Sequence, residues 1–296
     1  MSYVSSEPGI TPVFRPNSAA YRWRLLASTI GWSLMALMFG LLAMTLVAII
    51  AFVIIRGGAN ISWATFTQTT QSYHGLLNAI EGSVLVTFGA LLIAAPVGIV
   101  TGIFLSEYQY LKAARLFSFL CDVLIGVPSI VLGMFGYIAM VNYLGWQFSL
   151  LAGCITLAAM IVPYIARTSE MALLQVPGNI REAAYALGAG DRTVIFRVVL
   201  VSCVPQILNG VLYAAAISMG ETAPLIYTAG WSNYSWNGHF FHEPVGYLTY
   251  VIWSFISEPS AAAHQLAYVA AFLTTLFALL INLFARSTLR RKNAPH

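Results

Sequence analysis

Charge is scarce in this chain. Only 8% of its 296 residues are Asp, Glu, Lys or Arg, against about a quarter in a soluble domain. That shortage excludes the pair of water-soluble domains the length alone would suggest. Lys112 and Lys292 are the only lysines. Neither ends a GxxxxGK[ST] loop, so the chain has no ordinary cradle for ATP phosphates. Cysteine is sparse too. Cys121, Cys154 and Cys203 form no CxxC pair, and each sits in or beside an apolar run. A disulfide framework or zinc site is excluded, and such thiols pack as small apolar groups. There is no GxSxG elbow, and "HFFHE" (239–243) is not HExxH. "GAG" (188–190) is too little for a dinucleotide fold. With no catalytic constellation, the chain reads as a non-enzyme. No internal repeat or low-complexity segment appears.

Apolar length is what it has instead. Hydrophobic residues make up 59% of the chain. A membrane helix needs about 20 mostly apolar residues. Six runs qualify, at about 28–55, 76–104, 117–143, 148–171, 204–227 and 265–286. Lipid leaves unpaired backbone groups unsatisfied, so these runs must be helical, and no barrel-strand alternation is present. The expected fold class is an all-α membrane protein of about six transmembrane helices. A tail at 1–27 precedes the membrane domain at 28–286, and a second tail follows at 287–296. The first run is too long for a signal-peptide core and lacks a cleavage site, so it reads as a retained helix.

Cations set the orientation. With both termini cytoplasmic, the inner segments hold Arg15, Arg22, Arg24, Lys112, Arg115, Arg167, Arg181, Arg192, Arg197, Arg286, Arg290, Arg291 and Lys292. Only Arg56 falls outside. The net charge of +4 is thus a topology signal spread between apolar runs, not a nucleic-acid surface. The outer segments are about 56–75, a tight turn near Leu144–Gln147, and a long loop at 228–264. That loop carries Trp231, Tyr234, Trp236, His239, Phe240, Phe241, His242 and Trp253. Two readings stand for it: an aromatic collar at the lipid headgroups, or a docking surface for an external partner.

One inner segment is unusual. "REAAYALGAGDRTVIF" (181–196) places Arg181, Glu182, Asp191 and Arg192 around Gly188 and Gly190. Asn179 can cap a short helix through Ala183, Ala184 and Ala186. The glycines can end it, and Asp191 can cap a second helix towards Leu200. The small alanines would let another protein approach the backbone, and Arg181 and Glu182 could pair with it. Alternatively, the hairpin rests on the bilayer as an ordinary loop.

"EAAYALGAGDRTVIFRVVL" resembles the EAA loop of ABC-importer permeases at Glu182, Ala183, Ala184 and Gly188. Leu200 matches the family's following Leu-Pro, but Val201 replaces the proline. Pro205, Asn209 and Gly210 match its continuation. Four further stretches resemble phosphate permeases of the PstA type. They are "NAIEGSVLVTFGALLIAAPVGIVTGIFLSEY" (78–108), "VPSIVLGMFGY" (127–137), "ARTSEMALLQVP" (166–177) and "GETAPLIYTAG" (220–230). One departure stands out: Ile217 occupies a position where many phosphate permeases have an Arg, one turn before Glu221.

The resemblance implies a type I ABC-importer permease fold in the plasma (inner) membrane of a prokaryote. It implies a coupling loop at about 178–200, with Arg181, Glu182, Ala183, Ala184, Gly188 and Asp191 facing an ATP-binding cassette subunit. ATP and Mg2+ would belong to that subunit, a dimer by the family's pattern, and this chain would bind no cofactor. A second homologous permease and an external phosphate-binding protein complete the expected assembly, embedded in lipid. Translocation-path candidates are Arg167, Glu170, Glu221, Thr222, Ser129 and Asn78. A carboxylate in a membrane helix is expensive and faces the bundle interior, so Glu221 reads as either a hinge or interhelical pair bracketed by Gly220 and Pro224, or a substrate contact. Arg167 and Glu170 are one turn apart, and Arg167 reads as a phosphate ligand or a snorkelling anchor. Asp122 reads as an end cap of the third helix. Ser129, Asn78 and Thr222 either line the path or bond across helices. The expected function is phosphate import by alternating access; another oxyanion (sulfate or molybdate) and an ATP-independent carrier remain as alternatives.

Overall fold

The computed structural model describes residues 18–290, and every regular element among them is a helix. Arg15, Arg291, Lys292 and most of the two expected tails lie outside the described residues. The first helix, α1 (Ser18–Gly58), starts ten residues before the expected membrane run. Tyr21–Gly58 is long and apolar enough to cross a membrane. Among the described residues, those up to Phe52 form one compact unit and those from Val53 a second.

After the end of α1, the second unit continues with a short helix, α2 (Trp63–Thr67), and the long α3 (Leu77–Glu107). Then come α4 (Lys112–Gly126), α5 (Ser129–Gly136), a π-helical continuation (Tyr137–Tyr143) and α6 (Leu150–Leu174). The hairpin is α7 (Gly178–Ala186) and α8 (Asp191–Thr193). A π-helical segment (Val194–Val199) leads from α8 into α9 (Leu200–Gly220). The last elements are α10 (Ala223–Thr228), α11 (Leu248–Phe255) and α12 (Ala261–Arg290).

Among the described residues, five helices are long and apolar enough to cross a membrane, and a bent pair taken as one span brings the number to six. The core explains their packing. Val86, Ala90 and Ala94 of α3 meet Leu157, Ile161 and Ile165 of α6, with Ala214 of α9 and Leu225 closing the cluster. A second cluster joins Leu248, Val251 and Phe255 of α11 to Leu266, Val269 and Leu273 of α12. All three cysteines are buried and none is in a disulfide, as small apolar residues should be.

Two expected spans are not single helices. The run 117–143 is α4 and α5, bent by 100°. Pro128 lacks an N–H and restricts Val127, which is extended at φ −73°, ψ 127°. Asp122 is therefore not an end cap: it lies inside α4. The run 204–227 stops at Gly220, and its helix begins earlier, at Asp191. With Val201 in place of proline, the chain runs from the hairpin into α9 through the π-helical segment Val194–Val199 without leaving helical geometry. Glu221 is extended at φ −78°, ψ 135°. Pro224 lies in the first turn of α10, where its missing N–H is no loss. The long loop 228–264 contains α11, which sequence periodicity did not separate from its aromatic surroundings.

Candidate functional site

Three places concentrate polar groups in this apolar bundle: the hairpin, a cluster on Arg167, and the meeting point of the two helix breaks.

The hairpin is built by its turn. Gly188 has φ +80°, which a side chain would strain. Its N–H donates to the Tyr185 carbonyl at 2.9 Å, and Ala189 N–H donates to the Ala184 carbonyl at 3.1 Å. This pair of bonds closes α7 as a Schellman cap. The N-terminal caps differ from expectation. Pro177, not Asn179, precedes α7, and Gly190, not Asp191, precedes α8. Asp191 is the first helical residue, where an acid suits the helix dipole. Its carboxylate lies beside the Tyr185 phenol. Desolvation, then the Asp191 charge, raises the Tyr185 phenol pKa.

The hairpin's two faces differ. Ala184 is buried with Leu173, Val194, Val199 and Cys203, so it packs the hairpin onto its own stem rather than offering backbone to a partner. Glu182, Ala183, Tyr185, Leu187 and Phe196 are exposed. Arg181 is not an outward charge. Its Nη1 donates to both carboxylate oxygens of Glu107, at 2.7 and 2.8 Å, and Nη2 donates to the Leu173 carbonyl at 3.2 Å.

Arg167 is equally engaged. Nη2 lies 2.6 Å from Asp122 Oδ1, and Nη1 lies 2.7 Å from Glu170 Oε2. Nη2 also donates to the Ser118 carbonyl at 2.9 Å and to its hydroxyl at 2.8 Å. One guanidinium thus bolts α6 to α4. Two carboxylates against one cation leave this cluster net negative, a poor landing place for an anion.

The two breaks come together. A methyl group placed on Gly133 of α5 would lie 2.6 Å from Pro224 Cα, so only glycine lets the half-helices approach this closely. The Ser129 hydroxyl, at the N-terminus of α5, lies beside the Glu221 carboxylate. The positive end of that helix favours negative charge. Thr249 Oγ1 donates to the Glu221 carbonyl at 2.8 Å, and Leu248 N–H donates to Ser83 Oγ of α3 at 2.8 Å. Broken backbone at membrane depth survives only where it is buried in protein or lines a cavity. Here it does both. Ser83, Thr87, Ser218, Glu221, Tyr247 and Thr249 surround an internal cavity of about 10 Å³. Thr222 precedes α10 and lines a larger open cavity of about 620 Å³. Ile217 packs against the main core.

Asn78 lies elsewhere. It is buried, accepts from Thr70 N–H at 2.9 Å, and donates to Thr70 Oγ1 at 2.9 Å and the Ser232 carbonyl at 2.8 Å. Its capacity is spent on tying two loops together. The structure therefore gathers Glu221 and Ser129, places Thr222 beside them, and separates Arg167–Glu170 and Asn78 from that point. Sequence reading missed Glu107, Ser83, Thr249 and Tyr247. Glu107 had a visible signal, an acid ending a long apolar run, but no visible partner.

A bundle of apolar spans with paired internal breaks and one polar hairpin is the build of a membrane transport component. The chain belongs to the family described as binding-protein-dependent transport system inner membrane component, whose model matches residues 94–293. It is 40% identical over 280 residues to the phosphate transport system permease protein PstA 2 of Mycobacterium bovis, covering 94% of this chain and 92% of that one. It is 38% identical over 244 residues to the phosphate transport system permease protein PstA of Haemophilus influenzae, covering 81% and 85%. Solved structures share the fold. An inward-facing MetNI methionine ABC transporter chain superposes with a TM-score of 0.59 at 19% identity, covering 72% of this chain and 95% of that chain. A chain of a bacterial alginate ABC transporter complex gives 0.55 at 15% identity, covering 94% and 97%.

Proposed function

We propose that this chain is a transmembrane permease subunit of an ATP-driven importer of inorganic phosphate. The observation that carries the reading is identity at 40%, across 94% of the chain, to a permease named for phosphate transport. The chain lacks an ATP-binding loop, so the energy must arrive from a separate subunit that holds ATP and Mg2+. The exposed face of the hairpin, with Glu182, Tyr185, Leu187 and Phe196, supplies the contact. The orientation is that of the cation map, with both termini and the hairpin in the cytoplasm of a prokaryotic cell and the protein in its inner membrane. A second permease completes the path, and an external phosphate-binding protein delivers the ion to the loops opposite the hairpin.

The mechanism is alternating access. Closure of the ATP-binding dimer pulls on the hairpin and, through α6 and α9, shifts the two breaks. Such coupling requires that the hairpin be held differently in the two states. Glu221 and Thr222 sit where the path changes accessibility. With Ser129 beside Glu221 at the meeting of the breaks, its role in this chain is to set the break, and the partner permease brings cations to the anion.

The test is reconstitution. The complete complex in vesicles with ATP should import labelled phosphate and discriminate against sulfate and molybdate; preference for either rival rejects the substrate. Glu182→Lys should leave the chain in the membrane while abolishing co-purification with the ATPase and uptake. Normal uptake in that variant sinks the coupling role and favours a self-contained carrier.

A further inference from the structure

Glu107 is the last residue of α3. A carboxylate there works against the helix dipole, whose negative end lies at the C-terminus. It is tolerated because Arg181 meets it with both oxygens engaged, and the pair is mostly buried, at 14% and 24% side-chain exposure. Arg181 also takes the Leu173 carbonyl, near the end of α6. A single side chain therefore joins the hairpin to two helices. The covalent route from α6 to α7 is only the short link 175–177. The ion pair adds a non-covalent route into α3, 74 residues away in sequence.

What α3 does with that connection is visible at its other end. It has 31 residues, so it spans roughly 46 Å at 1.5 Å per residue. Along it, Val86, Ala90 and Ala94 are locked against α6 in the core. Near its start, Ser83 holds Leu248 N–H at 2.8 Å. The adjacent Thr249 holds the Glu221 carbonyl at 2.8 Å. The hairpin and the break at Glu221 are thus the two ends of one chain of contacts through α3.

We infer that Glu107 and Arg181 form a latch that makes α3 the arm carrying hairpin movement to the break at Glu221. Both act as positioning residues, touching neither ATP nor phosphate. The inference rests on the proposed role of the hairpin as the contact for the ATP-binding subunit. A contiguous set of contacts is not yet coupling, so the latch must be tested by a quantity that simple docking would not move.

That quantity is phosphate imported per ATP hydrolysed, measured on the complete complex in vesicles. Glu107→Gln should assemble and hydrolyse ATP as the unmodified complex does, while import per ATP falls about tenfold, within the range of typical allosteric couplings. Glu107→Arg and Arg181→Glu should each uncouple, and the double exchange should recover most of the ratio. An unchanged ratio in Glu107→Gln overturns the latch. So does loss of assembly with a normal ratio in whatever complex remains, since the pair would then serve folding alone. The unmodified complex separates this from the parent reading: if it imports no phosphate, the proposed function fails, whatever the variants do.

Discussion

Arg167 offers the sharpest test of a strut against a substrate ligand. Its guanidinium serves Asp122 and Glu170, whose side chains are 62% and 17% exposed. Arg167→Gln removes both pairings. For Asp122, in water, the loss is about 0.5 kcal/mol. For Glu170, mostly buried, removing the cation strands a carboxylate. A fully buried stranded charge costs about 3–5 kcal/mol, and discounting for partial exposure leaves about 2 kcal/mol. The expected total is about 2–3 kcal/mol. The double variant Arg167→Gln/Glu170→Gln should recover about 1–2 kcal/mol, because the stranded charge disappears with its partner. Asp122→Asn should be nearly silent. The assay is the unfolding midpoint of the detergent-solubilised complex in a denaturant series, with phosphate uptake in parallel. Full stability of Arg167→Gln, or a deficit that Glu170→Gln does not relieve, refutes the strut. Full stability together with lost uptake would return Arg167 to the ion path.

Two more outcomes follow from buried polar groups. Asn78→Ala leaves the Thr70 N–H and the Ser232 carbonyl without their partner, which should lower stability by about 1–3 kcal/mol and expose the loop containing Thr70 to proteolysis; unchanged cleavage would show that the loops are held otherwise. The Tyr247 hydroxyl is buried with no hydrogen-bond partner among the described residues, so Tyr247→Phe should be neutral or stabilising by up to about 1 kcal/mol, and a clear drop in the unfolding midpoint would reveal a bound group in the cavity beside Glu221.

The sequence was a good guide wherever the governing physics is local. Apolar length decides that α3, α6 and α12 cross the membrane, because lipid cannot satisfy backbone groups whatever the neighbours are. Gly188 marks the hairpin turn because positive φ penalises any side chain. Chain breakers were visible, but their consequences were not. Pro128 and Pro224 announce kinks, while nothing in either stretch says that the kinks touch. The charged residues were the least legible. Arg181 finds Glu107 across 74 residues, and Arg167 finds Asp122 across 45. Within its own segment, each arginine looks like an outward charge waiting for a ligand. Only the packing of α3 and α4 against α6 shows that both are already taken.

That reassignment bears on Glu221. With Ile217 one turn before it, the carboxylate appeared to lack a counter-charge. The structure supplies a different kind of stabilisation: the Ser129 hydroxyl at the N-terminus of α5, in a helix that must approach α10 through Gly133. A nearby hydroxyl and a helix end stabilise an anion without introducing a mobile side chain. An Arg at 217 would have to displace part of the core that Ile217 fills. In this chain, then, the carboxylate sits where the two breaks meet. Neither Arg167 nor Arg181 is free to greet an anion, since each already holds a carboxylate.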